Sequence, residues 1–131
     1  MINAAIFAVL MMGGAAITSQ APEPTLEEAL ANVARDMAPT LPQRLDPSTT
    51  LVKVSTSGRT WTFHYALTER ATREQIVNFF GANGLRKGCA DPDMRALMLD
   101  GVTYAYEYTS PYVESPVTIA ITDEYCRAQG L

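Results

Sequence analysis

Histidine is nearly absent from the chain: His64 is the only one in 131 residues. A Ser-His-Asp or Cys-His site needs a histidine beside a nucleophile and a third group to orient it. His64 has no such motif around it and falls on a threonine-rich strand, where a solvated histidine is the simple reading. Cysteine is scarce too, with Cys89 and Cys126 the only pair. Two cysteines and one histidine are too few for a closed zinc site. Glycines mark turns and never form a phosphate-cradling loop. Lysine and arginine are scattered, and the formal net charge is −4, which argues against a nucleic-acid partner. The carboxylate pairs Glu27–Glu28 and Asp91 with Asp93 open helices, where the helix dipole favours them. No catalytic constellation is legible, so the sequence reads as a non-enzyme without a cofactor.

No lysine or arginine precedes the apolar run from Ala4 to Ile17, and no cysteine lies near it. The run falls short of the roughly 20 apolar residues of a membrane-spanning helix. It has the length of a signal-peptide core. We expect residues 1–21 to be a secretory signal peptide, with small-residue cleavage sites at Ala21, Ser19 or Ala16. An uncleaved anchoring segment is the alternative. Residues 22–131 then form one domain, periplasmic or secreted, non-lipidated and without a stable membrane anchor after cleavage. Export gives the cysteine pair its meaning, because disulfides persist in oxidising compartments. Cys89 and Cys126 are expected to be bridged; two separate buried thiols are the alternative.

Thr25-Leu26-Glu27-Glu28 matches a capping box, and Leu26, Leu30, Val33 and Met37 follow at helical spacing. That helix ends before Pro39, and residues 41–47 read as an extended connector. From Thr50 the period becomes two. Residues 51–56 and 60–67 predict a hairpin with Trp61, Phe63, Tyr65 and Leu67 on one face. This aromatic face reads as core, with a ligand platform as the alternative. Thr72 to Gln75 offers a second capping box, with Ile76, Val77, Phe79 and Phe80 as one apolar helix face and Asn83-Gly84 as its stop. Asp91 caps a further helix with Pro92 at its first position, and Gly101 ends it. Val102, Tyr104, Tyr106 and Tyr108, then Val117, Ile119 and Ile121, predict a second hairpin. The expected fold is α+β, in the order α-ββ-αα-ββ. About four antiparallel strands in two hairpins are covered on one face by helices, with one disulfide.

The other sheet face carries Thr60, Thr62, His64, Thr103, Glu107, Thr118 and Thr122. Its small polar side chains could receive a helix or peptide, with Thr62, His64, Thr103, Glu107 and Thr118 as candidate partner-binding residues. A plain solvated face is the alternative.

Cys89-Ala90-Asp91-Pro92, the helix with Arg95, Leu97 and Met98, Gly101, the strand with Tyr104 and the run into Cys126 resemble a known family. It is the α+β pilotins of type II secretion systems, the AspS or GspS-beta class. The resemblance covers most of residues 22–131. It implies a periplasmic, helix-flanked sheet, a disulfide between these cysteines, and a protein partner, the C-terminal segment of a secretin subunit. Family members are usually lipoproteins, and this sequence departs from them in having no lipobox cysteine. The function implied is a non-enzymatic periplasmic helper that binds a peptide or helix of a secretion-system or envelope protein. An inhibitor or immunity protein that caps an enzyme is the competing expectation.

Overall fold

The computed structural model describes residues 22–131; the expected signal segment, residues 1–21, lies outside the described residues. Helix α1 (Leu26–Met37) starts at the expected capping box. The Thr25 amide donates to Glu28 Oε1 at 3.0 Å, and the Glu28 amide to Thr25 Oγ1 at 3.1 Å. A 3₁₀ turn (Ala38–Thr40) leads to strand β1 (Gln43–Asp46), then β2 (Thr49–Ser57) and β3 (Thr60–Leu67). The second capping box, Thr72 with Gln75, opens α2 (Arg73–Gln75). The chain continues through a π-helical turn (Ile76–Gly81) into α3 (Ala82–Ala90). Asp91 accepts the amides of Asp93 and Met94 and caps α4 (Pro92–Leu99). Strands β4 (Thr103–Thr109) and β5 (Val117–Ile121) follow, then helix α5 (Asp123–Ala128).

The fold is α+β, but its sheet differs from the expected pair of hairpins. Among the described residues one sheet holds five strands in the order β1-β2-β3-β4-β5. β3 and β4 pair in parallel, Trp61 opposite Tyr104 and Tyr65 opposite Tyr108, while the other neighbours are antiparallel. A parallel pair needs a crossover connection; here α2, the π-turn, α3 and α4 supply it. Strand β1 occupies what reads in the sequence as a connector. Its four residues are all exposed and show no alternation. Helix α5 is also additional: the last strand ends at Ile121, and Cys126 sits in a helix. Asn83-Gly84 does not stop the third helical stretch, which runs on to Ala90.

The core lies between one sheet face and the helices. Trp61, Tyr104, Tyr106, Tyr108, Val117 and Ile121 of the strands meet Leu30, Ile76, Leu97 and Met98 of the helical layer. Alternation along the strands dictates this, since Trp61, Tyr104 and Ile121 form one cross-strand row pointing the same way. Helix α3 lies close because glycines face the sheet. A Cβ on Gly88 would fall 2.6 Å from both Ile121 Cδ1 and Tyr106 Oη, and one on Gly84 3.1 Å from Tyr108 Oη. At Gly101, φ is +98°, a conformation that suits glycine and turns the chain from α4 into β4.

Candidate functional site

The structure gathers the five expected partner-binding residues on the uncovered face of the sheet. One row crosses four strands: Lys53 opposite His64, His64 opposite Glu107, Glu107 opposite Thr118. Thr62 lies between Ser55 and Ala105, and Thr103 beside Thr60. Within this face Ser55 Oγ stands 2.7 Å from His64 Nε2, and His64 Nδ1 2.8 Å from Glu107 Oε1. A carboxylate only accepts, so with a neutral ring Nδ1 carries the proton, donates to Glu107 and leaves Nε2 to accept the Ser55 hydroxyl. This is the nucleophile–base–acid order that the sequence did not reveal. Glu107 reaches His64 only through the parallel register of β3 and β4. Acyl transfer also needs donors aimed at an oxyanion and walls around the substrate. The trio instead stands on a ladder of small side chains, its polar atoms satisfying one another across three strands. The network ties β2, β3 and β4 together.

A second surface comes from the π-helical turn. The i→i+5 hydrogen bonding of a π-turn shifts the phase of the residues after it. The expected apolar face therefore splits. Ile76 is fully buried and Phe80 half-buried, whereas Val77 is 43% and Phe79 64% exposed. The Phe79 ring packs edge-on against Phe80, with centroids 5.4 Å apart, and Phe80 leans on Tyr108 at 6.3 Å. Tyr108 donates its hydroxyl hydrogen to the Phe80 carbonyl at 3.3 Å. Two cavities flank Phe79. One, of about 250 Å³, is lined by Leu45, Tyr65, Phe80 and Tyr108, with Asp46, Asn83 and Lys87 at its rim. The other, of about 280 Å³, lies between Phe79, Phe80, Ala71 and Gln75, with Glu69 and Arg70 at its rim. Leu45 is itself 53% exposed. Phe63, Tyr65, Tyr106 and Tyr108 stack behind, with neighbouring centroids 5.2–6.2 Å apart. Burial pushes the Tyr108 hydroxyl up to about 12. Burial first, then the nearby Tyr108, raises that of Tyr65.

The linings of this trough carry two acids, Asp46 and Glu69, and two bases, Arg70 and Lys87. Asp46 accepts the Ser48 amide at 2.8 Å, and Glu69 accepts the Ser48 hydroxyl at 2.7 Å. Arg70 lies over the Tyr112 ring at 4.9 Å, and Arg73 donates to Ser115 at 3.2 Å. Ion pairs form away from the trough, at Arg59–Glu27, His64–Glu107, Arg95–Asp123 and Arg127–Asp123.

Cys89 and Cys126 form the expected disulfide, with Cα atoms 5.6 Å apart. It fastens α3 to α5, helix to helix, where the sequence suggested helix to strand. Beside it Arg95 donates to Asp123 at 2.9 Å, to the Cys89 carbonyl at 3.3 Å and to the Leu131 carbonyl at 3.1 Å. Both sulfur-bearing residues are buried. The bridge and this arginine form a structural clamp.

No family model and no curated protein sequence matches the chain. Solved structures do. The pilotin EpsS of the Vibrio vulnificus type 2 secretion system superposes with a TM-score of 0.66 at 18% identity, covering 77% of this chain and 91% of that one. The type II secretion system pilotin AspS from Vibrio cholerae gives 0.60 at 18%, over 77% and 92%. The fold is pilotin-like. A Pseudomonas aeruginosa protein described as a candidate secreted protein shares it, with a TM-score of 0.63 at 19% identity over 78% and 93%. At these identities the likeness concerns the pilotin-like fold, and residues must be assigned from this chain's own surface.

Proposed function

We propose that the chain is a non-enzymatic periplasmic helper that binds a peptide or helix of a secretion-system or envelope protein, a secretin segment included. The observation that carries this reading is the pilotin-like fold, shared over most of the chain with EpsS and AspS. Of the two unpartnered surfaces, the trough at the π-turn is the better receptor. Exposed Phe79, Leu45 and Val77 leave apolar area in water, and covering it is favourable by roughly 25 cal/mol per Å². On the open sheet face, Ser55, His64 and Glu107 already satisfy one another. We also propose that residues 1–21 direct export and are removed.

The test is affinity capture by the mature full-length protein from an envelope extract, with the bound subunits identified by mass spectrometry. Recovery of a secretin or another secretion-apparatus subunit, competed by free protein, is the expected result. Recovery of a soluble hydrolase that loses activity on binding would move the assignment to an inhibitor or immunity protein. The intact mass of the exported protein, matching a chain that starts near Pro22, tests the export segment.

A further inference from the structure

We propose that Ser55 is an activated nucleophile, a site of covalent acylation by small activated esters. It lies on the open sheet face and is independent of the binding role proposed for the trough. Ser55 Oγ stands 2.7 Å from His64 Nε2, and His64 Nδ1 2.8 Å from Glu107 Oε1. Both distances fall within the reach that a nucleophile, its base and the orienting acid require. The carboxylate only accepts, so it keeps the ring proton on Nδ1 and turns the Nε2 lone pair toward the hydroxyl. Three adjacent strands hold the three side chains in that order. Ser55 is half-buried, and the His64 and Glu107 side chains are 18% and 28% exposed. The hydroxyl is open to a small reagent, while the base behind it is partly shielded from water.

In the acylation step Ser55 Oγ attacks the carbonyl carbon of the ester while its proton passes to His64 Nε2. The imidazolium so formed sits against the Glu107 carboxylate, an opposite charge. It hands the proton to the departing oxygen as the bond between that oxygen and the carbonyl carbon breaks. The products are O-acyl-Ser55 and the free alcohol or phenol, with His64 neutral again and nothing oxidised or reduced. A good leaving group lets this half proceed without donors aimed at the carbonyl oxygen. Attack by water then meets an ordinary serine ester, with a poor leaving group and the same lack of donors. The acyl group therefore stays, and the chain is modified without turning over, which is compatible with a non-enzymatic binding role. Thr62 opposite Ser55 and Ala105 opposite Thr62 are small and form no wall. The reagent is selected by its reactivity and not by its shape.

The test treats the full chain with 4-nitrophenyl acetate at neutral pH, follows phenolate release and locates the acetyl group by peptide mass mapping. Release should stop near about one equivalent, with the acetyl group on Ser55. Ser57 is the internal comparison. It lies on the same strand and face and is more exposed, and the only histidine is bonded to Ser55. Ser55 should react at least about a hundredfold faster than Ser57, the lower end of what a positioned general base supplies. His64→Gln should remove that advantage. Glu107 is a positioning residue: in Glu107→Gln the carboxamide can donate to Nδ1, which moves the ring proton to Nε2 and removes the base. The Ser55 rate should then fall by at least about tenfold. The charged groups facing His64 are Lys53 in β2 and Glu107 in β4. The ratio of Ser55 to Ser57 labelling should climb with pH as the imidazole loses its proton, and His64→Gln should flatten that rise. Circular dichroism checks that each variant is folded, and the comparison of the two serines needs no variant. Equal labelling of Ser55 and Ser57, acetyl groups on lysines alone, or a Ser55 rate untouched by His64→Gln would overturn the proposal. So would phenolate release that survives Ser55→Ala, which would make the imidazole itself the nucleophile. Ser55-dependent release that runs on past the first equivalent would overturn retention of the acyl group and, with it, the non-enzymatic reading.

Discussion

Gly88 shows how one residue sets the spacing of two layers. In an exposed helix, alanine would be favoured over glycine by about 0.8–1.0 kcal/mol. Here the added methyl falls 2.6 Å from Ile121 Cδ1 and Tyr106 Oη, both on fully or nearly fully buried side chains. Overpacking of this kind costs about 1–3 kcal/mol. We therefore expect Gly88→Ala to lower stability by about 1 kcal/mol net, read as a reduced denaturant midpoint at constant slope. An unchanged or higher midpoint would mean that α3 can slide outward at little cost. At this scale the sequence was readable wherever partners are near in the chain. Thr25 with Glu28, Thr72 with Gln75, and Asp91 with Pro92 all occupy the cap positions they suggest. The His64 partners were not readable. Glu107 is 43 positions away, and only the strand register brings it to 2.8 Å.

Helix α5 is the element the sequence hid best, although Thr122 followed by Asp123 and Glu124 is an acceptable helix start. It directly follows an alternating strand and spans only six residues. So short a helix is marginal unless something holds it. The disulfide and Arg95 hold it. Closing a 37-residue separation contributes roughly 4 kcal/mol in the chain-entropy model. We expect the double variant Cys89→Ser, Cys126→Ser to lose about 2–4 kcal/mol and residues 123–128 to exchange their amide hydrogens ahead of the sheet. Full protection of α5 without the bridge would assign its anchoring to Arg95 alone. The exposed strand β1 went unread because Gln43 to Asp46 shows no burial pattern to detect. The trough was hidden for a related reason. Phe79 fits an apolar stripe at ordinary helical spacing, and the π-turn that swings it outward leaves no mark in composition.

For the whole molecule, the core tyrosines make stability sensitive to base. Burial pushes the Tyr108 hydroxyl up to about 12 and raises those of Tyr65, Tyr104 and Tyr106. For Tyr104 the carboxylates of Asp91 and Asp93 add to this effect. A raised folded-state value favours the neutral phenol. Its contribution is fully present below the unfolded value near 10 and is lost as pH climbs through the folded values. Stability should fall from about pH 10 upward. In absorbance at 295 nm the core tyrosines should ionise late and together with loss of structure. Their ionisation near pH 10 in a chain still folded by circular dichroism would contradict the buried aromatic layer.

The parallel junction at the centre of the sheet also governs the order of assembly. Strands β1 to β3 are joined by short turns and need only local contacts to meet. β4 can reach β3 only after residues 68–102 have formed their helices and crossed the sheet. Loop closure over such a stretch slows folding. A chain stopped at Leu67 would present Trp61, Phe63 and Tyr65 to water with nothing to cover one flank. Synthesis must pass Thr109 before β4 can close that flank, so an early three-stranded intermediate would be sticky until the second half of the chain arrives.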